Sequence, residues 1–288
     1  MSNIITLLIN GISEGAHIFL MAASLSVILG LLKVVNFAHG ALFLWGAYAF
    51  AWVFNSTGNW FLGILGAIVA GFIIGAIFEK VFISRVYGNI SAQIMITLGL
   101  QIVFTELVRV VFGVRTIVVE RPALLDGVSE WNGVTIVHYR IFLIVVSIIV
   151  AIVGHIILTR TRSGMIIRAG VQNSEMVGAL GININLYFTL VFAVGGALAG
   201  LGGALFIPLV GAITPEIGAA NQLLAFIVVI IGGMGNYIGS AIGSLFLGVM
   251  VALIGWFIPD ISLIAPVALM ALVLIFRPQG LFGLAVKS

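Results

Sequence analysis

The chain has 288 residues, of which 62% are hydrophobic, 36 are glycine and only 7% are charged, with a formal net charge of +3. An ordinary soluble domain carries about 25% charged residues, so this composition, with a mean hydropathy of +1.32, excludes a soluble enzyme and a disordered chain, and the absence of Cys excludes a disulfide scaffold. What remains is an integral membrane protein.

A helix rising 1.5 Å per residue needs about 20 apolar residues to cross hydrocarbon about 30 Å thick. No charge falls in residues 15–32, 34–78, 86–105, 141–159, 176–215, 217–259 or 261–276. The longest gaps contain turn signals: Asn55-Ser56-Thr57-Gly58-Asn59, the stretch from Pro208 to Pro215, and Gly232-Gly233-Met234-Gly235-Asn236. The predicted spans are 8–31, 38–55, 61–82, 92–112, 139–158, 185–208, 219–235, 239–257 and 261–276. That makes nine, with eight as the close alternative, because the glycines at 232–239 suit either a tight turn or a break inside a re-entrant pair. The runs are continuously apolar and do not alternate, which argues against a barrel. The expectation is an all-α, polytopic transmembrane helical bundle forming one domain over residues 1–288.

Lys and Arg in short loops mark the cytoplasmic side. Lys33, Lys80, Arg85, Arg160, Arg162, Arg168, Arg277 and Lys287 all fall on one side with nine spans, which places the 159–183 loop and the C-terminus in the cytoplasm. The 113–138 loop, where Arg115 and Arg121 face Glu120, Asp126 and Glu130, is then external. The positive charge reflects topology, and no nucleic-acid partner is implied. Residues 1–10 carry no positive region ahead of the apolar stretch and read as the approach to the first span.

Small residues recur every four positions at Gly63, Ala67, Gly71 and Gly75, at Gly196 and Gly200, and at Gly235, Gly239 and Gly243. Such stripes let helix backbones approach closely in lipid. They suit packing within one subunit, and one of them also suits pairing with a second membrane subunit.

Several motifs carry competing chemistry. Gly11-Ile12-Ser13-Glu14-Gly15 matches G-x-S-x-G, with His17 four residues beyond Ser13, but a nucleophile elbow needs a strand before it and none precedes it here. The histidines at 17, 39, 138 and 155 are dispersed, so a metal site is not expected. Glu14 and the pair Glu106 with Arg109 are the intramembrane candidates for ion coupling; the pair stands three residues apart, suited to pairing with itself. No G-x-x-x-x-G-K-[ST] occurs, so any ATP is bound by another chain.

In the 159–183 loop, Asn173 or Ser174 suits a helix cap, Glu175 its first turn, and Gly181 its end. Met176, Val177 and Leu180 then form an apolar face. The residues leave two destinations open, the membrane surface or a groove on a partner protein.

Three stretches resemble a known family: Asn10-Gly11-Ile12-Ser13-Glu14-Gly15-Ala16; Leu32-Lys33-Val34-Val35-Asn36-Phe37-Ala38-His39-Gly40-Ala41-Leu42 through Gly46-Ala47-Tyr48; and Phe276-Arg277-Pro278-Gln279-Gly280-Leu281-Phe282-Gly283. Together they resemble the permeases of branched-chain amino-acid ABC importers, in particular the shorter, LivH-type subunit, over essentially the whole length. Arg168-Ala169 through Gly181-Ile182-Asn183 resembles the family's cytoplasmic loop that meets the ATPase. The family's Glu-Ala-Ala docking consensus is absent, so the resemblance implies a coupling helix over Ser174, Glu175, Met176, Val177, Gly178, Ala179, Leu180 and Gly181 as a unit.

The resemblance further implies the ABC importer permease fold in a bacterial or archaeal inner membrane, and no catalytic residue in this chain. It implies a second permease subunit, two ATP-binding subunits carrying ATP and Mg, a substrate-binding protein outside, and no cofactor on this chain. For the passage the expected residues are polar groups within spans: Asn36, His39 and Gly40 at the break before the second span, Gln101 in the fourth, and Asn221 with Gln222 in the seventh. Each also suits a helix cap or an interhelical hydrogen bond. Two other classes of function remain beside the importer: an ATP-independent channel or secondary carrier, and an intramembrane hydrolase using Ser13.

Overall fold

A computed structural model describes residues 2–131 and 133–283. Lys287 lies outside the described residues.

The described residues form helices α1 (Ser2–Leu32), α2 (His39–Thr57), α3 (Trp60–Ile77), α4 (Ile90–Phe112), α5 (His138–Arg160), α6 (Arg162–Gln172), α7 (Ser174–Ala179), α8 (Ile184–Val210), α9 (Ile217–Gly232), α10 (Tyr237–Phe257) and α11 (Ala265–Phe276). Many starts are legible in the chain. Asn59, Asn89, Asn173, Asn183 and Asn236 each accept a hydrogen bond from the amide three residues on, supplying an oxygen to an otherwise orphaned N–H.

Six helices are long and apolar enough to cross a membrane: α1, α3 with its π-helical and 3-10 continuation to Arg85, α4, α5, α8 and α10. Three further apolar helices, α2, α9 and α11, coincide with the remaining predicted spans. The last of these is shorter than expected, beginning at Ala265. The glycines at 232–236 form a tight turn, with Gly233 and Gly235 at positive φ and Asn236 capping α10.

Two expectations are corrected. Short strands occur beside the helices: the 113–138 loop holds a hairpin of β2 (Val128–Trp131) on β3 (Val134–Val137), and β1 (Ile117–Val118) pairs antiparallel with β4 (Ala212–Ile213). These segments lie outside the apolar runs, where backbone groups left unpaired by helices find partners in each other. The 159–183 loop, expected to hold one short helix, holds two, α6 and α7.

Burial is uneven. The apolar window of α1 is 89% buried, whereas that of α5 is 11% buried. The core is built by α1, α2 and α8, while α4 and α5 present much of their apolar surface outward. The glycine stripes explain how closely the core helices approach. A Cβ on Gly71 would overlap the Gly196 carbonyl, and one on Gly75 would stand 2.5 Å from the Phe192 carbonyl, so α3 and α8 touch backbone to backbone. The stripe in α3 and the pair in α8 therefore pack on one another within the subunit.

Candidate functional site: a capped helix end inside the bundle

Between α1 and α2 the chain leaves the helix at Lys33, whose φ of 54° is the one positive value outside glycine among the described residues. Asn36 Oδ1 then accepts from the Ala38 amide at 2.9 Å, a local turn that starts α2. This start is deep. His39 Nε2 lies 3.0 Å from the carbonyl oxygen of Met21, which is 11 residues, or about 16 Å at helical rise, before the end of α1. Asn36 and His39 are wholly buried.

A helix beginning inside an apolar bundle has amide donors that no water reaches. Two side chains from other helices satisfy them. Gly40 N–H donates to Gln222 Oε1 of α9 at 2.9 Å, and Ala41 N–H donates to Gln101 Oε1 of α4 at 2.7 Å. Only glycine fits at position 40, because a Cβ there would stand 2.5 Å from the Gly218 carbonyl and 2.7 Å from Gln222 Oε1.

One turn farther along α1, His17 Nε2 meets Asn221 Oδ1 at 3.1 Å, and the imidazole stacks on Phe206 with ring centres 4.5 Å apart. Ser24 Oγ sits 3.3 Å from His39 Nδ1. The structure thus gathers Asn36, His39, Gly40, Gln101, Asn221 and Gln222 into one polar region shared by α1, α2, α4 and α9. It adds His17 and Ser24, which the sequence treatment of isolated histidines passed over. Their signal was present: Ser13, His17 and Ser24 fall at steps of four and seven, one face of a helix. Ser13 Oγ, His17 Nδ1 and Asn36 Nδ2 are buried without a hydrogen-bond partner among the described residues.

The hydrolase alternative loses its geometry here. Ser13 lies inside the continuous helix α1, and the His17 nitrogen that forms a hydrogen bond forms it with Asn221. Glu106 and Arg109 do pair, at 2.6 Å, and Arg109 also reaches Glu216 before α9 at 3.1 Å. This makes an ion-paired brace between the C-terminal end of α4 and the N-terminal end of α9.

At the opposite side, α7 is capped at its start by Asn173 and closed by Gly181 at φ 80°. Gly181 N–H donates to Gly178 O at 2.9 Å and Ile182 N–H to Val177 O at 3.4 Å, the double bond pattern of a glycine-terminated helix. The expected apolar face of Met176, Val177 and Leu180 is divided. Val177 is buried, while Met176 and Leu180 are 64% and 74% exposed. A two-turn helix resting on α6 and α8 turns one side inward, and residues 176 and 180, four apart, share the outer side.

The family profile described as "Branched-chain amino acid transport system / permease component" matches residues 7–275. The chain is 30% identical to the high-affinity branched-chain amino acid transport system permease protein BraD of Pseudomonas aeruginosa, over 96% of this chain and 94% of that one. It is 28% identical to the corresponding LivH proteins of Salmonella typhimurium and Escherichia coli, over 95% of this chain and 94% of each of those. No solved structure matches the chain. With six helices able to cross a membrane among the described residues it is a multi-pass membrane protein, and it belongs to the family of branched-chain amino acid transport system permease components.

Proposed function

We propose that this chain, a permease subunit of an ABC importer, passes branched-chain or related amino acids into the cytoplasm through the polar region at the start of α2. The observation that carries this is the helix end inside the bundle. Its amides and dipole present positive charge to a substrate carboxylate, and Gln101 and Gln222 hold those amides when no substrate is there. An uncharged, hydrogen-bonding passage suits a zwitterion handed over briefly. The proposed passage residues are Asn36, His39, Gly40, Gln101, Asn221 and Gln222.

In this reading all nine apolar helices lie in an inner membrane, with α2 starting within it. Lys33, Arg160, Arg162, Arg168 and Arg277 face the cytoplasm, as the distribution of positive charge favours. The segment from Ser174 to Gly181 is the coupling helix, with Met176 and Leu180 entering a groove on an ATP-binding subunit. ATP and Mg act on two such subunits, a second permease completes the passage, and a binding protein delivers substrate to the external loop. ATP binding draws the ATPases together and moves α7, opening the passage outward.

The test is ATP-dependent uptake of labelled leucine into liposomes holding the assembled importer, with Leu180→Asp compared to the native chain. The expected result is a loss of about ten-fold or more, equivalent to about 1.4 kcal/mol of coupling, with the variant still folded. Unchanged uptake, or leucine flux through this chain alone without ATP, overturns the proposal.

A further inference from the structure

The small-residue stripe of α3 runs through Gly63, Ala67, Gly71 and Gly75, and the next position at the same spacing is Glu79. Where the stripe touches α8, Gly71 meets Gly196, and Gly75 meets Phe192 and Ala193. One turn farther the same ladder continues with Glu79 and Thr189, and backbone contact gives way to a carboxylate.

Glu79 is 2% exposed and forms no ion pair among the described residues. Both oxygens are held by hydroxyls. Tyr87, in the connection from α3 to α4, donates to Oε1 at 3.1 Å, and Thr189 of α8 donates to Oε2. The Thr189 hydroxyl also lies 3.0 Å from the Asn185 carbonyl. It has one proton, so it bonds either to its own helix or to Glu79. The Tyr87 ring packs beside Phe188, ring centres 5.4 Å apart.

The backbone is altered at the same place. Phe78–Phe82 form a π-helical turn, followed by the 3-10 turn Ile83–Arg85. A π-turn carries surplus chain and concentrates at functional positions. A buried carboxylate without an ion pair is costly in such surroundings, and α3 otherwise fills this ladder with glycine and alanine. On the other side of the contact, α8 is capped by Asn183, two residues after the glycine that ends α7.

We propose that Glu79 is a positioning residue that carries displacement of α7 into the membrane. Movement of α7 shifts the first turns of α8, the Thr189 hydroxyl exchanges Glu79 for Asn185, and the π-turn of α3 and the Tyr87 connection follow. This rests on the reading of α7 as the coupling helix.

The experiment measures leucine uptake and ATP hydrolysis together in the reconstituted importer, for Glu79→Ala, Thr189→Val, Tyr87→Phe and Leu180→Asp. The expected result is an assembled importer that hydrolyses ATP while uptake per ATP falls about five-fold or more in Glu79→Ala, with a smaller fall in Thr189→Val. A role confined to packing lowers the yield of assembled importer and leaves uptake per ATP unchanged; that result overturns the proposal. Should the Ala variant fail to assemble, the near-isosteric Thr189→Val decides by the same ratio. Leu180→Asp separates the two readings. If it leaves uptake unchanged the coupling helix is misassigned, and if it uncouples while the Glu79 and Thr189 variants do not, only the role of Glu79 falls.

Discussion

The α3–α8 and α2–α9 contacts both rely on glycine, and they differ in what surrounds the backbone. Where Gly71 and Gly75 meet Gly196 and Phe192, the contact is carbon and carbonyl against carbon, with no side-chain hydrogen bond across it. Where Gly40 meets Gly218, the Gln222 side chain closes the contact by accepting from the Gly40 amide. A dry backbone contact has one good geometry, because its energy is a sum of short-range dispersion terms lost with a small gap. A capped amide N–H donates to any well-placed oxygen, so the α2 end tolerates exchange of partners. This contrast makes α3–α8 the strut of the subunit and α2–α9 its adjustable part.

The most severe way to break the strut is Gly71→Leu. Its Cβ alone overlaps the Gly196 carbonyl, and with backbone on both sides nothing flexible yields. The expected cost is at or above the upper end of the roughly 1–3 kcal/mol seen for overpacked sites. Size-exclusion profiles in detergent should show little monodisperse protein. A well-folded Leu variant with native uptake would mean that the two helices are not in backbone contact.

An intermediate effect is expected for Gln222→Ala. The variant leaves the Gly40 amide buried without an acceptor, at a cost of about 1–3 kcal/mol. It should fold, melt lower than the native chain and transport more slowly. An unchanged melting temperature would show that the cap is absent or replaced by water.

The smallest effect belongs to the brace between Arg109 and Glu216. Glu216 is held below the ordinary carboxylate range, first by its own backbone amide, then by the Thr214 hydroxyl and the Arg109 guanidinium. A lowered folded value means that the contribution is fully present above the ordinary carboxylate range and is lost as pH falls through the lowered value. Because the side chain is exposed, Glu216→Gln should cost less than about 1 kcal/mol at neutral pH. Melting curves of the variant and the native chain should converge in acid; a difference that grows as pH falls would contradict the brace.

Much of this was legible beforehand because lipid imposes strict rules on a chain. The Asn caps and the charge-free runs follow from the need to satisfy every amide and to keep charge out of lipid. The residues expected to line a passage stand out one by one as polar groups within spans, but no local spacing encodes that Gln101 and Gln222 accept from the same helix end. His17 and Glu79 were missed for the same reason. Each is a single polar residue whose partners, Asn221 and Thr189, stand 204 and 110 positions away.

The sequence by itself determined the membrane class, the helix starts, the small-residue stripes and the exposed loop helix ended by Gly181. All of these depend on neighbours within a few residues or on bulk hydropathy. Only the tertiary structure decided which stripes face each other, that α2 begins inside the bundle, and that Val177 turns inward while Leu180 stays exposed. These depend on contacts between distant segments, and no local spacing encodes which distant backbone will arrive to supply the missing oxygen or the missing surface.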